Sequence, residues 1–113
     1  MKEELEWRRV VDFQRDGVYA TKYGNRYGAN VRSNLFVKPV NSSQGKIDFI
    51  ILPFADAPAE SHQLLNDVPT NGTFVPFTSR FDRRSYRLKV TEYRGKGSTI
   101  RFVVEELVPK NTP

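Results

Sequence analysis

The sequence contains no cysteine among its 113 residues. Disulfide bridges, thiolate catalysis and cysteine-based metal sites are therefore excluded. Histidine is almost absent too: His62 is the only one, and a lone histidine without a carboxylate cluster is more often a surface or capping residue than a ligand. No Ser-His-Asp order, phosphate-cradling glycine loop or paired-carboxylate motif stands out. We therefore expect no enzymatic activity, no metal and no cofactor.

Long apolar runs are also missing. No run approaches the roughly 20 residues that a membrane-spanning helix needs. The charged N-terminal stretch MKEELEWRRVV lacks the apolar segment of a secretory signal. We therefore expect a cytoplasmic protein, in the host cytoplasm if viral, without a membrane partner. The length predicts one domain over 1–113, with 1–6 and 109–113 as frayed ends.

Positive charge is in excess. Lys and Arg number 18 against 13 Asp and Glu, so the net charge is +5. The excess lies in two blocks, because 15–38 holds five cations and one anion and 80–101 holds eight cations and two anions. Such a distribution favours an anionic partner.

The stretch Tyr19–Val37 combines this charge with aromatic rings around a tight Gly24-Asn25 step. Gly and Asn tolerate positive φ, so the step predicts a hairpin turn. Tyrosines and cations interleave along it: Tyr19, Lys22, Tyr23, Arg26, Tyr27 and Arg32. A basic hairpin with tyrosines can hold the phosphates of a single strand while bases stack on the rings.

The rest of the pattern is rich in β-formers. Alternation and turn residues predict five strands, at 7–22 with a bend or bulge at Asp16-Gly17, 29–37 with Pro39 either ending it or marking an edge, 46–52, 83–94 and 98–108. A helix over 2–14 is the alternative for the first strand. A short helix is predicted at Ala57–Asn66, with Pro58 in its first turn and Leu64-Leu65 docked on the core.

This order predicts an all-β fold, a five-stranded OB-type barrel with a short helix between strands 3 and 4. An open β-sandwich or an SH3-like barrel is the competing architecture. Four phenylalanines are assigned to the core: Phe49, Phe74, Phe77 and Phe102. In an OB barrel the two basic blocks would line a common surface.

Candidate nucleic-acid-binding residues follow from the two blocks. Stacking is expected from Tyr23, Tyr27 and Tyr93, and more weakly from Phe36 and Phe81. Phosphate contacts are expected from Lys22, Arg26, Arg32, Arg84, Arg87, Arg94 and Lys96.

Two motifs carry a family resemblance. The stretch Tyr86–Lys110 (YRLKVTEYRGKGSTIRFVVEELVPK) resembles the end of the gene V type single-stranded DNA-binding proteins of filamentous phages. Those finish with a strand, a glycine turn bearing an aromatic, and a strand running into Leu-Val-Pro. Lys22–Tyr27 (KYGNRY) resembles their basic-Gly-x-x-Tyr turn.

The resemblance implies an OB-fold homodimer that coats single strands cooperatively and without sequence preference, as phage DNA replication requires. It implies that Tyr27 contacts DNA, that Lys22 binds the backbone, and that Tyr93 reaches DNA bound by a neighbouring dimer. The chain departs from the family in its 54–72 insert. It also has Val103 and Glu105 where the family's last strand carries arginines.

The sequence thus predicts a protein that binds single-stranded DNA without sequence preference, from a phage or mobile element. An RNA-binding or duplex-binding protein is one alternative. A β-rich protein-interaction or virion-structural domain, with incidental positive charge, is the other.

Overall fold

The computed structural model describes residues 4–15, 29–32, 35–43, 45–54, 57–95 and 100–110. In these ranges the chain forms β1 (Leu5–Arg15), β2 (Ala29–Arg32), β3 (Leu35–Ser43), β4 (Lys46–Leu52), a 3-10 turn (Ala59–Ser61), β5 (Gln63–Pro69), β6 (Val75–Thr78), β7 (Ser85–Tyr93) and β8 (Ile100–Pro109). The predicted all-β class is confirmed. The predicted strand 46–52 and the hairpin of 83–94 with 98–108 are also confirmed, as β4 and as β7 with β8.

The strands form two antiparallel sheets. Sheet A has the order β1-β8-β7-β6, and sheet B has the order β2-β3-β4-β5. Among the described residues these sheets close no barrel, so the predicted five-stranded OB-type barrel with a helix is not confirmed. The sequence interpretation counted too few strands, because it missed the pairing of β5 with β4 and of β6 with β7.

One apolar core lies between the sheets. Inward-facing residues of β3, β4, β7 and β8 make it continuous. Phe49 of sheet B meets Phe102 of sheet A edge to face, with ring centroids 5.2 Å apart. Both rings are fully buried, which confirms their core assignment. Phe77 packs against the same core and stacks on Tyr86, but Phe74 lies outside it.

The predicted helix at Ala57–Asn66 is wrong. Only the 3-10 turn Ala59–Ser61 is helical there, and the segment continues as β5. Leu64 pairs with Ile50, and Leu65 pairs with Phe49. The two leucines therefore point to opposite faces instead of docking together, since successive strand residues alternate. Pairing with the apolar strand β4 overrides the local helix signals.

The predicted single strand at 29–37 is wrong as well. Its two halves are separate strands, and Ala29 of β2 pairs with Val37 of β3. Nor does Pro39 end β3, which runs on to Ser43. Proline lacks an N–H donor, but a bulge accommodates that loss. The register of β3 with β4 shifts between Pro39 and Asn41, directly after the proline.

The N-terminal stretch is a strand, so the alternative helix over 2–14 is wrong. Leu5 pairs with Pro109, and the Lys110 amide donates to the Glu4 carbonyl oxygen at 2.8 Å. Residues 5–6 and 109 therefore pair in sheet A, and a backbone hydrogen bond joins residues 4 and 110 just beyond it. The register of β1 shifts between Arg9 and Val11. The predicted bend at Asp16-Gly17 lies outside the described residues.

Two phenylalanines with the same predicted role should now behave differently. Phe102→Ala is expected to lower the free energy of unfolding by about 3–5 kcal/mol, because it opens a cavity between the sheets. Phe74→Ala should cost only about 1 kcal/mol, since that ring lies outside the core. Urea denaturation of both variants measures the difference, and equal losses would contradict this core.

Candidate nucleic-acid interface

One side of sheet A faces away from the core and carries cations and rings together. In β7 the buried residues Tyr86, Leu88 and Val90 alternate with half-buried neighbours. Several side chains point outward with Arg87 and Lys89: Trp7 and Arg9 of β1, Arg101 and Glu105 of β8, and Phe74, which directly precedes β6 and contacts both cations. We call these seven residues the outer face of sheet A.

Arg87 is the centre of this face. Its guanidinium carbon lies 4.4 Å from the Trp7 ring centroid and 3.8 Å from the Phe74 ring centroid. The Lys89 ammonium lies 4.4 Å from the same Phe74 ring. Cations prefer the negative face of an aromatic ring, a preference worth about 0.5–1 kcal/mol at an exposed site. The contacts therefore arrange two rings and two cations in a row across three strands.

A single carboxylate fixes the arginine in this row. Arg87 Nε donates to Glu105 Oε1 at 2.7 Å, and Arg87 Nη2 lies 2.6 Å from the same oxygen. The Arg9 guanidinium lies 4.0 Å from Glu105 Oε2. A paired guanidinium with two contacts is held in one orientation. Glu105 thus positions Arg87 between the rings, while Arg9 and Lys89 leave this part of the face positively charged.

Glu105 is not an isolated acid, because Arg87 and Arg9 both approach it. The face therefore keeps more cations than anions despite this acid.

Of the predicted phosphate ligands, Arg87 alone belongs to this row. Arg84 directly precedes β7 and pairs with Glu106 at 3.0 Å, on the opposite side of sheet A. Arg94 is exposed and pairs with Glu92 at 3.3 Å. Arg32 lies in β2, where the structure describes only its backbone. Lys22, Arg26 and Lys96 lie outside the described residues.

Among the described residues, the predicted stacking side chains Phe36, Phe81 and Tyr93 do not lie on one surface. Phe36 is only 1% exposed, so the prediction that it stacks on a base is wrong. The Phe36 ring points away from the core between the sheets, but Ile50, Leu52 and Ala57 cover it. Phe81 is half-buried and packs against the core between the sheets. Tyr23 and Tyr27 lie outside the described residues.

Tyr93 has a structural contact that the sequence did not indicate. Its hydroxyl donates to the Ser42 hydroxyl oxygen at 2.8 Å, and its ring packs against the core. Because Tyr93 belongs to sheet A and Ser42 to sheet B, the bond ties the two sheets together. These contacts hold the Tyr93 side chain in the fold. Its ring is therefore less available for stacking on a base than a ring on the outer face of sheet A.

Sequence reasoning missed Trp7, Phe74 and Lys89 as members of a site. The alternation of β7 did indicate that Arg87 and Lys89 share a face. The rings, however, reach them from β1 and from the residue before β6, through pairings that join distant parts of the chain. No local pattern encodes that register, so only the sheet order could show the row.

Comparison of this chain with protein-family models, with curated proteins and with solved structures found no match. Among the described residues no group of three or more His, Asp or Glu side chains could hold a metal ion. The same residues contain no helix with the length and apolar character needed to cross a membrane. The candidate interface therefore stands on its own geometry.

The position of Glu105 leads to a stability prediction. Glu105→Gln should lower the free energy of unfolding by about 1–2 kcal/mol, because it weakens a half-buried ion pair with hydrogen bonds. Glu92→Gln is the matched control and should cost less than about 0.5 kcal/mol, since its partner Arg94 is well exposed. Thermal or urea unfolding would contradict the assignment if both variants lost the same amount.

Proposed function

We propose that the protein binds single-stranded DNA without sequence preference through the outer face of sheet A. The observation that carries this proposal is the row of Trp7, Arg87, Phe74 and Lys89, in which rings and cations alternate at contact distance. Single-strand-binding surfaces combine these two elements, because phosphates need positive charge and unpaired bases need flat apolar partners.

Each element has a separate physical role. A Lys or Arg beside a phosphate releases condensed counterions, so affinity falls as salt rises and carries no sequence information. A base that stacks on a ring or on a guanidinium plane contributes about 1–3 kcal/mol and is accepted whatever its identity. Stacking requires bases that are already unpaired, which favours a single strand over a duplex.

The predicted hairpin around Gly24-Asn25 belongs to the same proposal. Its residues Lys22, Tyr23, Arg26 and Tyr27 would add cations and rings of the same kind, and the gene V resemblance assigns Lys22 to the DNA backbone and Tyr27 to a DNA contact. The resemblance also contributes homodimerisation, cooperative coating and a role in replication of a phage or mobile element. A cytoplasmic site of action belongs to the proposal as an expectation from the sequence alone. The OB-type barrel enters the proposal only through this resemblance.

Trp7 provides a direct test, because it is the single tryptophan of the chain. Its emission should be quenched when oligo(dT) of about 16 nucleotides is added. The apparent affinity should fall steeply between about 50 and 200 mM salt. Phe74→Ala should weaken binding about tenfold through loss of one stacking partner, and Lys89→Gln should reduce the salt slope by about one.

The control variant for this test keeps an aromatic ring at position 74. Phe74→Tyr retains a stacking surface at the same position and should bind like the native chain. Binding that is unaffected by Phe74→Ala would place the DNA elsewhere on the molecule and contradict the proposed face. Competition with duplex DNA and with oligo(U) distinguishes the single-stranded DNA proposal from the duplex and RNA alternatives.

A second candidate function, self-association or another protein contact, rests on exposed apolar side chains in β5 and in the segment after β4. Leu64 is 65% exposed and Phe54 is 54% exposed. Leu64 lies on β5, which is an edge of sheet B among the described strands. An edge strand offers unpaired backbone groups to a second chain. A second copy paired along β5 would cover Leu64 and form the homodimer that the gene V resemblance implies.

Sedimentation velocity tests this dimer. The native chain should sediment as a dimer, and Leu64→Ser should shift it toward the monomer because the apolar contact across the edge is lost. Leu5→Ser is the matched control, since Leu5 is also exposed but lies on β1 of sheet A. A Leu64→Ser chain that remains fully dimeric would contradict a dimer formed through β5.

A further inference from the structure

The inner side of sheet A is not covered by sheet B along its whole length. The core between the sheets includes Val104 of β8 but stops before Glu106 and Val108. Beyond that point a groove of about 690 Å³ opens between β1, the start of β7 and the end of β8. Among the residues that line it are Arg8, Val10, Arg83, Arg84, Glu106 and Val108.

The groove is separate from the outer face of sheet A. Strand residues alternate between faces, so Arg8 points opposite to Trp7 and Arg9. Glu106 likewise points opposite to Glu105. Register pairs Arg8 with Glu106 on the inner side and Arg9 with Glu105 on the outer side. The two basic regions therefore occupy opposite sides of the same sheet.

A buried carboxylate anchors one wall of the groove. Glu106 is only 2% exposed, and its Oε2 atom lies 3.0 Å from Arg84 Nη1. A carboxylate held away from water needs a charged partner, so this ion pair fixes where the guanidinium sits. About half of the Arg84 side chain, 52%, stays exposed. One of the five N–H donors of the guanidinium engages Glu106 in this bond.

A tight turn brings a second arginine to the same place. The Arg83 backbone has a φ of 58°, a left-handed conformation that residues other than glycine rarely adopt. Ser79 holds the turn at both ends. Its carbonyl oxygen accepts from the Arg83 amide at 2.8 Å, and its amide donates to the Arg84 carbonyl oxygen at 3.0 Å.

The consequence of this conformation is local crowding of positive charge. Consecutive residues of an extended strand would point to opposite faces, but Arg83 and Arg84 both line the groove. Arg8, which pairs with Glu6 at 3.5 Å, reaches the groove from β1, so three arginines line it together with one acid, Glu106. Residues held in unfavourable backbone conformations, as Arg83 is here, cluster at functional sites.

We propose that this groove binds the phosphate of a nucleoside phosphate. The planar guanidinium fork matches the oxygens of a phosphate, which makes arginine its preferred ligand among cationic side chains. Val10, Val108 and Pro109 provide an apolar wall against which the sugar and base can lie. The groove volume is in the range of small-ligand sites. The phosphate can belong to a free nucleotide or to the end of a single strand.

The test uses thymidine 5′-monophosphate, thymidine and inorganic phosphate, each titrated by calorimetry or NMR into the full chain. We expect thymidine 5′-monophosphate to bind saturably and both others at least tenfold more weakly. Arg83→Gly should reduce its affinity about tenfold without loss of folding, because glycine adopts the left-handed conformation freely. Arg84→Lys keeps the charge but removes the planar fork and should also weaken binding.

Two further arms separate this proposal from the proposed function. Phe74→Ala should leave nucleotide binding unchanged, because that ring lies on the outer face of sheet A. Oligo(dT) with a 5′-phosphate should bind more tightly than the 5′-hydroxyl oligonucleotide if the groove takes a strand end, and equally if it takes a free nucleotide. Equal affinity for thymidine and its monophosphate, equal affinity for inorganic phosphate, or full binding by Arg83→Gly would overturn the proposal.

Discussion

The packing of two sheets on one core is the constraint that arranges the other features of this molecule. Phe49 and Phe102 meet edge to face at its centre, and every strand that contributes to the core must present apolar side chains at alternate positions. The intervening positions then point outward as a set. In β7 this places Arg87 and Lys89 on one side while Leu88 is buried. The chemistry of the outer face therefore depends on the same period of two that builds the core.

The outer face is also organised internally. Arg87 contacts Trp7, Phe74 and Glu105 at once, so one side chain links residues that arrive from β1, from the approach to β6 and from β8. Such an arrangement orders the rings before any ligand arrives, and preordered groups lose less conformational entropy on binding. The same contacts stabilise the sheet surface. Stability and the proposed recognition of single strands therefore rest on common residues.

The sequence predicted the strands that local residue patterns determine. It failed for the segments whose structure depends on pairing with distant strands. The continuous apolar run of 46–52 predicts strand β4, and alternation around a glycine turn predicts the β7–β8 hairpin, because both signals are visible in single segments. The helix expected at Ala57–Asn66 was wrong, since pairing with β4 turned the Leu64-Leu65 segment into a strand. Pro39 predicted the end of a strand, but β3 continues past it with a shift in its register to β4. Arg87 was predicted as a contact residue, whereas Trp7 and Phe74 joined it only through the order of the strands in sheet A.

The most direct test of single-strand recognition by the outer face is an NMR titration of the isotopically labelled chain with oligo(dT). The indole N–H of Trp7 gives a resolved signal, because the chain has one tryptophan. The account predicts that this signal and the backbone amides of β7 and β8 around Arg87 shift together and saturate together. It further predicts that Phe74→Ala weakens the whole set. Shifts confined to sheet B, or a Trp7 signal that does not respond while the DNA binds, would contradict the account.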